Sequence, residues 1–184
     1  QALVPTPEWK YSIMNAGWVK GDTVNLGVGQ GYLLATPMQL ANYASLLAKK
    51  GAFNEPAIVK QEKEKKPLKI WQDKKFNDSD WNKLHQALLG VIESDDGTAR
   101  SIRDLKEFQV AGKSGTAELV SLDSKEAYQE VRTSELLRDH SIIFVFGPMP
   151  NPRYAVSVVI ENGESGGAVA GPVAIEVLKS LINE

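Results

Sequence analysis

The run Val110-Ala111-Gly112-Lys113-Ser114-Gly115-Thr116-Ala117-Glu118 gathers a cation, two hydroxyls and two glycines on one short segment. Read as a strand, it alternates side chains between faces, so Ser114 and Thr116 point the same way while Gly115 leaves the backbone open to a ligand. Such a surface suits a carboxylate: two hydroxyls donate to it, Lys113 adds positive charge, and a backbone N–H beside a glycine can stabilise a developing oxyanion.

Two phosphate-binding readings fail on spacing. Gly112-Lys113-Ser114 imitates the end of a phosphate-binding loop, but that loop needs a glycine where Glu107 stands. Gly27-Val28-Gly29-Gln30-Gly31 has a glycine rhythm, yet Leu34 occupies the place of the third glycine of a dinucleotide fingerprint. With no cysteine and only His85 and His140 to offer nitrogen, neither a zinc site nor any other cofactor is expected. His85 follows Leu84 and reads as a helix-surface or partly packed residue. Arg138-Asp139-His140 reads as a local salt bridge or cap at a strand start rather than a catalytic relay.

The elements that must position the lysine segment are legible in outline. Thr36-Pro37-Met38-Gln39 is a capping box with proline at the first helical position, so a helix should follow it and stop at Gly51. A second helix should start near Asp78 or Ser79 and bury Trp81, Leu84, Leu88, Val91 and Ile92. The lysine-rich stretch from Gly51 to Asn77 suggests a short strand around Ala57 to Gln61 and then a polar loop, with Lys60 to Lys66 a solvated run. Strands are expected over Phe108 to Leu119, Ile142 to Gly147 and Tyr154 to Glu161, the last two joined by a tight turn at Pro148 to Arg153. Their continuous apolar runs call for helices on both faces of the sheet. A final helix over about Ala168 to Leu181 should face the sheet with Val173, Val177, Leu178 and Leu181. The glycine-rich approach to it, Gly163 to Gly167, reads as a connector without a catalytic role.

Composition narrows the function classes. A chain of 184 residues with 42% hydrophobic content suffices for one domain with a substantial core. A net charge of -2, without a basic face interleaved with aromatics, argues against a nucleic-acid partner. No apolar stretch is long enough to span a membrane, the first residues lack the parts of a signal peptide, and the absence of cysteine does not decide the compartment.

Lys-Thr-Gly belongs to the signature set of β-lactamases and penicillin-binding proteins, and here the middle residue is serine. The chain resembles the class B penicillin-binding proteins, most closely the penicillin-binding protein 2 group, along nearly its whole length. The blocks that carry the resemblance are Gly21 to Tyr32, Ala35 to Ala41, Val110 to Glu118, Leu137 to Pro148 and Arg153 to Gly163, in the family's order.

The resemblance implies an α+β (α/β sandwich) fold of the penicillin-binding and serine β-lactamase type, with an antiparallel sheet flanked by helices, of which residues 1–184 are the C-terminal portion. None of the serines has a lysine three residues later, so the family's Ser-x-x-Lys nucleophile is not in these residues. Ser94-Asp95-Asp96 and Ser121-Leu122-Asp123 fit the family's middle motif only by letter. The implied activity of the intact protein is that of a D,D-transpeptidase cross-linking peptidoglycan stem peptides during cell elongation, with β-lactams as suicide substrates.

Lys113 would then assist proton transfer, Ser114 and Thr116 would bind the substrate carboxylate, Gly115 would keep the strand edge clear, and the Thr116 N–H would be an oxyanion donor. The implied location is the periplasmic face of the inner membrane, through an upstream anchor, among membrane proteins of the elongation machinery. The resemblance also implies a five-stranded sheet in which two upstream strands lie beside Tyr154 to Glu161, leaving that edge bare without them. The alternative function is a non-catalytic carboxylate-binding or scaffold module derived from the same fold.

Overall fold

The computed structural model describes residues 2–59, 68–69, 76–105, 107–119 and 134–184. Its contacts divide into two compact units, Gln1–Gln39 and Leu40–Glu184.

The first unit holds helices α1 (Pro7–Met14) and α2 (Lys20–Gly27). Thr6 caps α1 by accepting from the Trp9 N–H, with proline at the start of the helix, and Asn15 ends it in the left-handed region at φ 52°. Asp22 closes the start of α2, accepting from the Val19 N–H at 2.7 Å. It also receives the Lys10 ammonium at 2.6 Å, which ties α2 to α1. That bond, and then the Val19 N–H, hold the Asp22 carboxyl below its usual range. Leu3 and Leu34 exchange backbone hydrogen bonds at 2.9 and 3.0 Å.

Helix α3 (Pro37–Ala48) begins at the expected capping box, where Gln39 Oε1 accepts from the Thr36 N–H at 2.9 Å. Gly51 ends it at φ 86°, a conformation that favours glycine. A small sheet of β1 (Ala52–Phe53) and β2 (Leu68–Lys69) follows. Among the described residues of the strand expected around Ala57 to Gln61, none is in a strand. Ala57 to Val59 form a bend with Ile58 and Val59 exposed, and Lys60, Gln61 and the Lys60 to Lys66 run lie outside the described residues. Branched residues without a buried face to fill gain nothing from strand pairing.

Helix α4 (Asp78–Glu93) starts where expected. The Asn77 side chain accepts from the Ser79 and Asp80 N–H groups, and Asp80 accepts from the Asn77 N–H in return. Its buried stripe is Trp81, His85, Leu88, Leu89 and Ile92. His85 is therefore not a surface residue, because it stands one turn after Trp81 on the apolar side. Its Nε2 donates to the Leu47 carbonyl at 2.9 Å, and its ring packs tilted on Phe146.

The main sheet has strands β3 (Ala111–Ala117), β4 (His140–Gly147) and β5 (Tyr154–Ile160), antiparallel in the order β3-β4-β5. Ser114 pairs with Ile143, Thr116 with Ser141, and Ile143 in turn with Val158. Among the described residues, the outer edges of β3 and β5 pair with no further strand. Both faces are covered, as the apolar runs require. Ile143, Val145 and Val156 pack with Ile92, Ile102 and the last helix, α5 (Gly171–Asn183), while Phe144, Phe146 and Ala155 pack with Leu46 and Leu47 of α3 and Trp81, Leu88 and Leu89 of α4.

Helix α5 is reached through a π turn, Gly166–Ala170. It presents Ala174, Ile175 and Leu178 to the sheet, and Leu181 packs against the same core, so Leu178 and Leu181 face inward as expected, whereas Val173 and Val177 are exposed and their places are taken by Ala174 and Ile175. Gly171 and Ala174 explain the choice. Small side chains allow close approach, and a Cβ on Gly171 would lie 2.6 Å from Ile102 Cγ2.

Candidate active-site edge

The lysine segment forms β3, as its alternation suggested, and its chemistry is spread over two faces and one unpaired edge. The register sets Gly112, Ser114 and Thr116 on the face of Ser141, Ile143 and Val145, and Lys113 on the opposite face, across from Phe144. Lys113 and Thr116 are exposed, Ser114 and Gly115 half-buried. Lys113 Nζ donates to the Ser114 carbonyl at 2.6 Å, a bond that uses one of the ammonium's three protons.

Each hydroxyl is held from outside the strand. Ser114 Oγ lies 2.7 Å from Thr98 Oγ1, in the turn after α4. Thr116 Oγ1 donates to the Glu164 carbonyl at 3.3 Å. The glycine-rich stretch is thus more than a connector in space: its backbone abuts the strand. Gly166 sits so close over the sheet that a Cβ would strike the carbonyl oxygens of Ile142 and Gly115, and a Cβ on Gly167 would strike the Thr98 carbonyl. Glycine at both places is a packing requirement.

Two anchors fix that stretch. Ser141, fully buried on β4, donates to the Ser165 carbonyl at 2.8 Å and accepts from the Ala170 N–H at 3.1 Å. The Arg138-Asp139-His140 trio grips the turn that precedes it. The Asn162 side chain donates to the Arg138 carbonyl at 2.9 Å, the Asn162 N–H donates to His140 Nδ1 at 3.0 Å, and the Glu164 N–H donates to the Asp139 carbonyl at 2.8 Å. A ring nitrogen that accepts from a backbone N–H carries no proton, so His140 here has its proton on Nε2. The trio therefore bonds the loop beside Thr116, and Arg138 also makes the ion pairs expected of it, 4.0 Å to Glu135 and 3.8 Å to Glu164.

Lys113, Ser114, Gly115 and Thr116 come together by being contiguous on β3. Thr98 and the Glu164 backbone join them from afar. Sequence reasoning passed over both, because Thr98 looks like a turn residue and a backbone carbonyl leaves no trace in the letters. Neither histidine offers its ring to this edge: His85 is buried under α3, and His140, on β4 across from Ala117, is engaged with the Asn162 N–H. Ser94-Asp95-Asp96 is spent on the turn after α4, where Asp95 pairs with Arg103 at 2.9 Å, and Ser121-Leu122-Asp123 lies outside the described residues. Among the described residues no group of three or more His, Asp or Glu side chains gathers as a metal site would require.

The penicillin binding protein transpeptidase domain model matches residues 4–179. The chain belongs to this family. Among curated penicillin-binding relatives, it is 37% identical over 176 residues to the peptidoglycan D,D-transpeptidase MrdA of Acinetobacter baumannii, covering 92% of this chain and 26% of that one. It is 33% identical to the MrdA of Haemophilus influenzae, covering 100% and 29%. The structure of Pseudomonas aeruginosa PBP2 in complex with WCK 5153 superposes with a TM-score of 0.77 at 32% identity, covering 100% of this chain and 37% of that one. Helicobacter pylori PBP2 in complex with MreC gives 0.76 at 29%, covering 99% and 31%. The chain thus spans well under half the length of these transpeptidase relatives. The expected fold, an antiparallel sheet flanked by helices within the penicillin-binding family, is the one observed.

Proposed function

We propose that residues 1–184 are the C-terminal portion of the transpeptidase domain of a peptidoglycan D,D-transpeptidase of the elongation type, and that β3 is the substrate-binding edge of its active site. The observation that carries this reading is the lysine segment itself: a cation, two externally held hydroxyls and a glycine without a side chain on an edge with no strand partner among the described residues. A peptide substrate can lie along such an edge, with its terminal carboxylate at Ser114 and Thr116, the Thr116 hydroxyl turning its proton from the Glu164 carbonyl to the carboxylate.

The chemistry is a two-step acyl transfer. A serine from the upstream part attacks the carbonyl between two D-alanines. Its proton passes to the departing amine of the last D-alanine, which leaves as the free amino acid. The amine of a second stem peptide then attacks the ester, restores the serine hydroxyl and completes the cross-link. Lys113 supplies positive potential and a hydrogen bond to the upstream middle-motif serine that relays the proton. The Thr116 N–H is one of two oxyanion donors, and the loss of one such donor costs about two to three orders of magnitude in rate. Gly115 keeps side chain away from the edge. β-Lactams acylate the same serine. The parent protein sits at the periplasmic face of the inner membrane and meets membrane proteins of the elongation machinery; the MreC complex of Helicobacter pylori PBP2 supports a protein partner of this kind.

The test is D-alanine release from a stem peptide ending in D-Ala-D-Ala, by the protein extended with its upstream coding sequence. Release is expected, and Lys113→Ala should lower it by about a hundredfold or more. A folded extended protein without release favours the non-catalytic module. Release indifferent to Lys113→Ala removes the lysine from the mechanism.

A further inference from the structure

The Thr98–Ser114 hydroxyl pair has a direction that substrate binding would dictate. Only one proton can lie between two hydroxyls 2.7 Å apart. If Ser114 donates to Thr98, Ser114 turns lone pairs toward an incoming carboxylate and repels it. If Thr98 donates, Ser114 keeps its own proton for the carboxylate, and the accepted bond polarises that hydroxyl further.

Thr98 is built into place on both sides. Ala99 is fully buried and its N–H donates to the Val91 carbonyl at 2.9 Å. Gly97 lies so near the end of α4 that a Cβ would stand 2.8 Å from the Gly90 carbonyl oxygen and closer still to that of Val91. Arg103 bonds both the Glu93 carbonyl and the Asp95 carboxylate, at 3.0 and 2.9 Å, across the same turn. On the other side Ser101 Oγ donates to the Gly167 carbonyl at 3.0 Å, joining the turn to the glycine stretch that covers Gly115. The turn after α4 is therefore a fixed platform, and its exposed threonine hydroxyl reaches the strand.

We propose that Thr98 is a positioning residue that donates to Ser114 and so orients the Ser114 hydroxyl toward the substrate's carboxylate. This rests on reading Ser114 as a carboxylate donor, and the test separates the two. Acylation efficiency would be measured on the extended protein with benzylpenicillin and with its methyl ester, which lacks the charged carboxylate. Thr98→Val keeps the shape and removes the hydroxyl. It should lower the acid-to-ester ratio of efficiencies by about three- to tenfold, the range of one neutral hydrogen bond. Thr98→Ser should restore the ratio, and Thr98→Val should lower it no further in a Ser114→Ala background.

An unchanged ratio in Thr98→Val, equal losses on acid and ester, or a full additional loss in the Ser114→Ala background would overturn the proposal while leaving the carboxylate reading intact. An unchanged ratio in Ser114→Ala alone would overturn the carboxylate reading, and the proposal with it.

Discussion

Replacing Gly166 by alanine tests whether the glycine stretch is pressed against the strand that carries the proposed site. A methyl there would be driven into the carbonyl oxygens of Ile142 and Gly115 and would stand 3.0 Å from the Gly115 nitrogen. All three are backbone atoms of paired strands, which cannot swing aside as a side chain does. Alanine gains about 0.4–1 kcal/mol over glycine by restricting the unfolded chain. Overpacking costs about 1–3 kcal/mol, and rigid backbone neighbours put this case at the upper end. The net is a loss of about 2 kcal/mol, or about 4–8 °C in Tm for a chain of this size. At Gly115 the nearest neighbour to an added Cβ is Ile142 Cβ at 3.8 Å, an ordinary contact, so Gly115→Ala keeps the unfolded-chain gain without the clash and should be neutral or more stable by up to about 1 kcal/mol. Urea titrations followed by tryptophan fluorescence would measure both. A Gly166→Ala protein as stable as wild type, or a Gly115→Ala protein equally damaged, would refute the packing argument.

Further outcomes follow from other contacts. Ser141→Ala strips the buried Ala170 N–H of its acceptor and should cost about 1–3 kcal/mol in the same titration. His85→Ala empties a buried site between Leu47 and Phe146 and should cost about 2–4 kcal/mol, with unchanged stability marking the histidine as dispensable. In the protein extended upstream, Gly115→Val should fold, since strands accept β-branched residues, yet lose penicillin labelling because its side chain fills the approach to the edge. The Asp22 carboxyl is depressed by Lys10 in the folded state, so its contribution to stability is present above the usual aspartate range and is lost as pH falls through the lowered folded value. Acid titration of the near-ultraviolet signal of Trp9 and Tyr32, which pack 5.5 Å apart, should show that loss, and Asp22→Asn should remove this part of the pH dependence.

Much of this was legible in the letters where local chemistry decides the structure. Capping residues marked the starts of α3 and α4, and Gly51 marked a stop. Residue alternation shaped the reading of β3, richness in Val, Ile and Phe marked β4 and β5, and the continuous apolar runs on those two told that both faces would be covered. The lysine segment was identified from residue type alone. What escaped depends on partners far away in sequence. His85 reads as polar, but its place one turn after Trp81 puts it on the buried stripe, where a carbonyl of another helix satisfies it. The inward face of α5 is set by the small Gly171 and Ala174, whose value is the close approach they permit rather than their own hydrophobicity. Ile58 and Val59 have strand propensity without a buried face to occupy. Thr98 and the Glu164 carbonyl join β3 only because the turn after α4 and the glycine stretch converge there, a juxtaposition that tertiary packing alone creates.

The most direct test of the central claim is intact-protein mass spectrometry after incubation with a penicillin, on residues 1–184 and on the protein extended upstream, with peptide mapping of any adduct. The account predicts one penicilloyl adduct on the extended protein alone, on an upstream serine followed three residues later by lysine. An adduct on a serine within residues 1–184, or none on a folded extended protein, would contradict it.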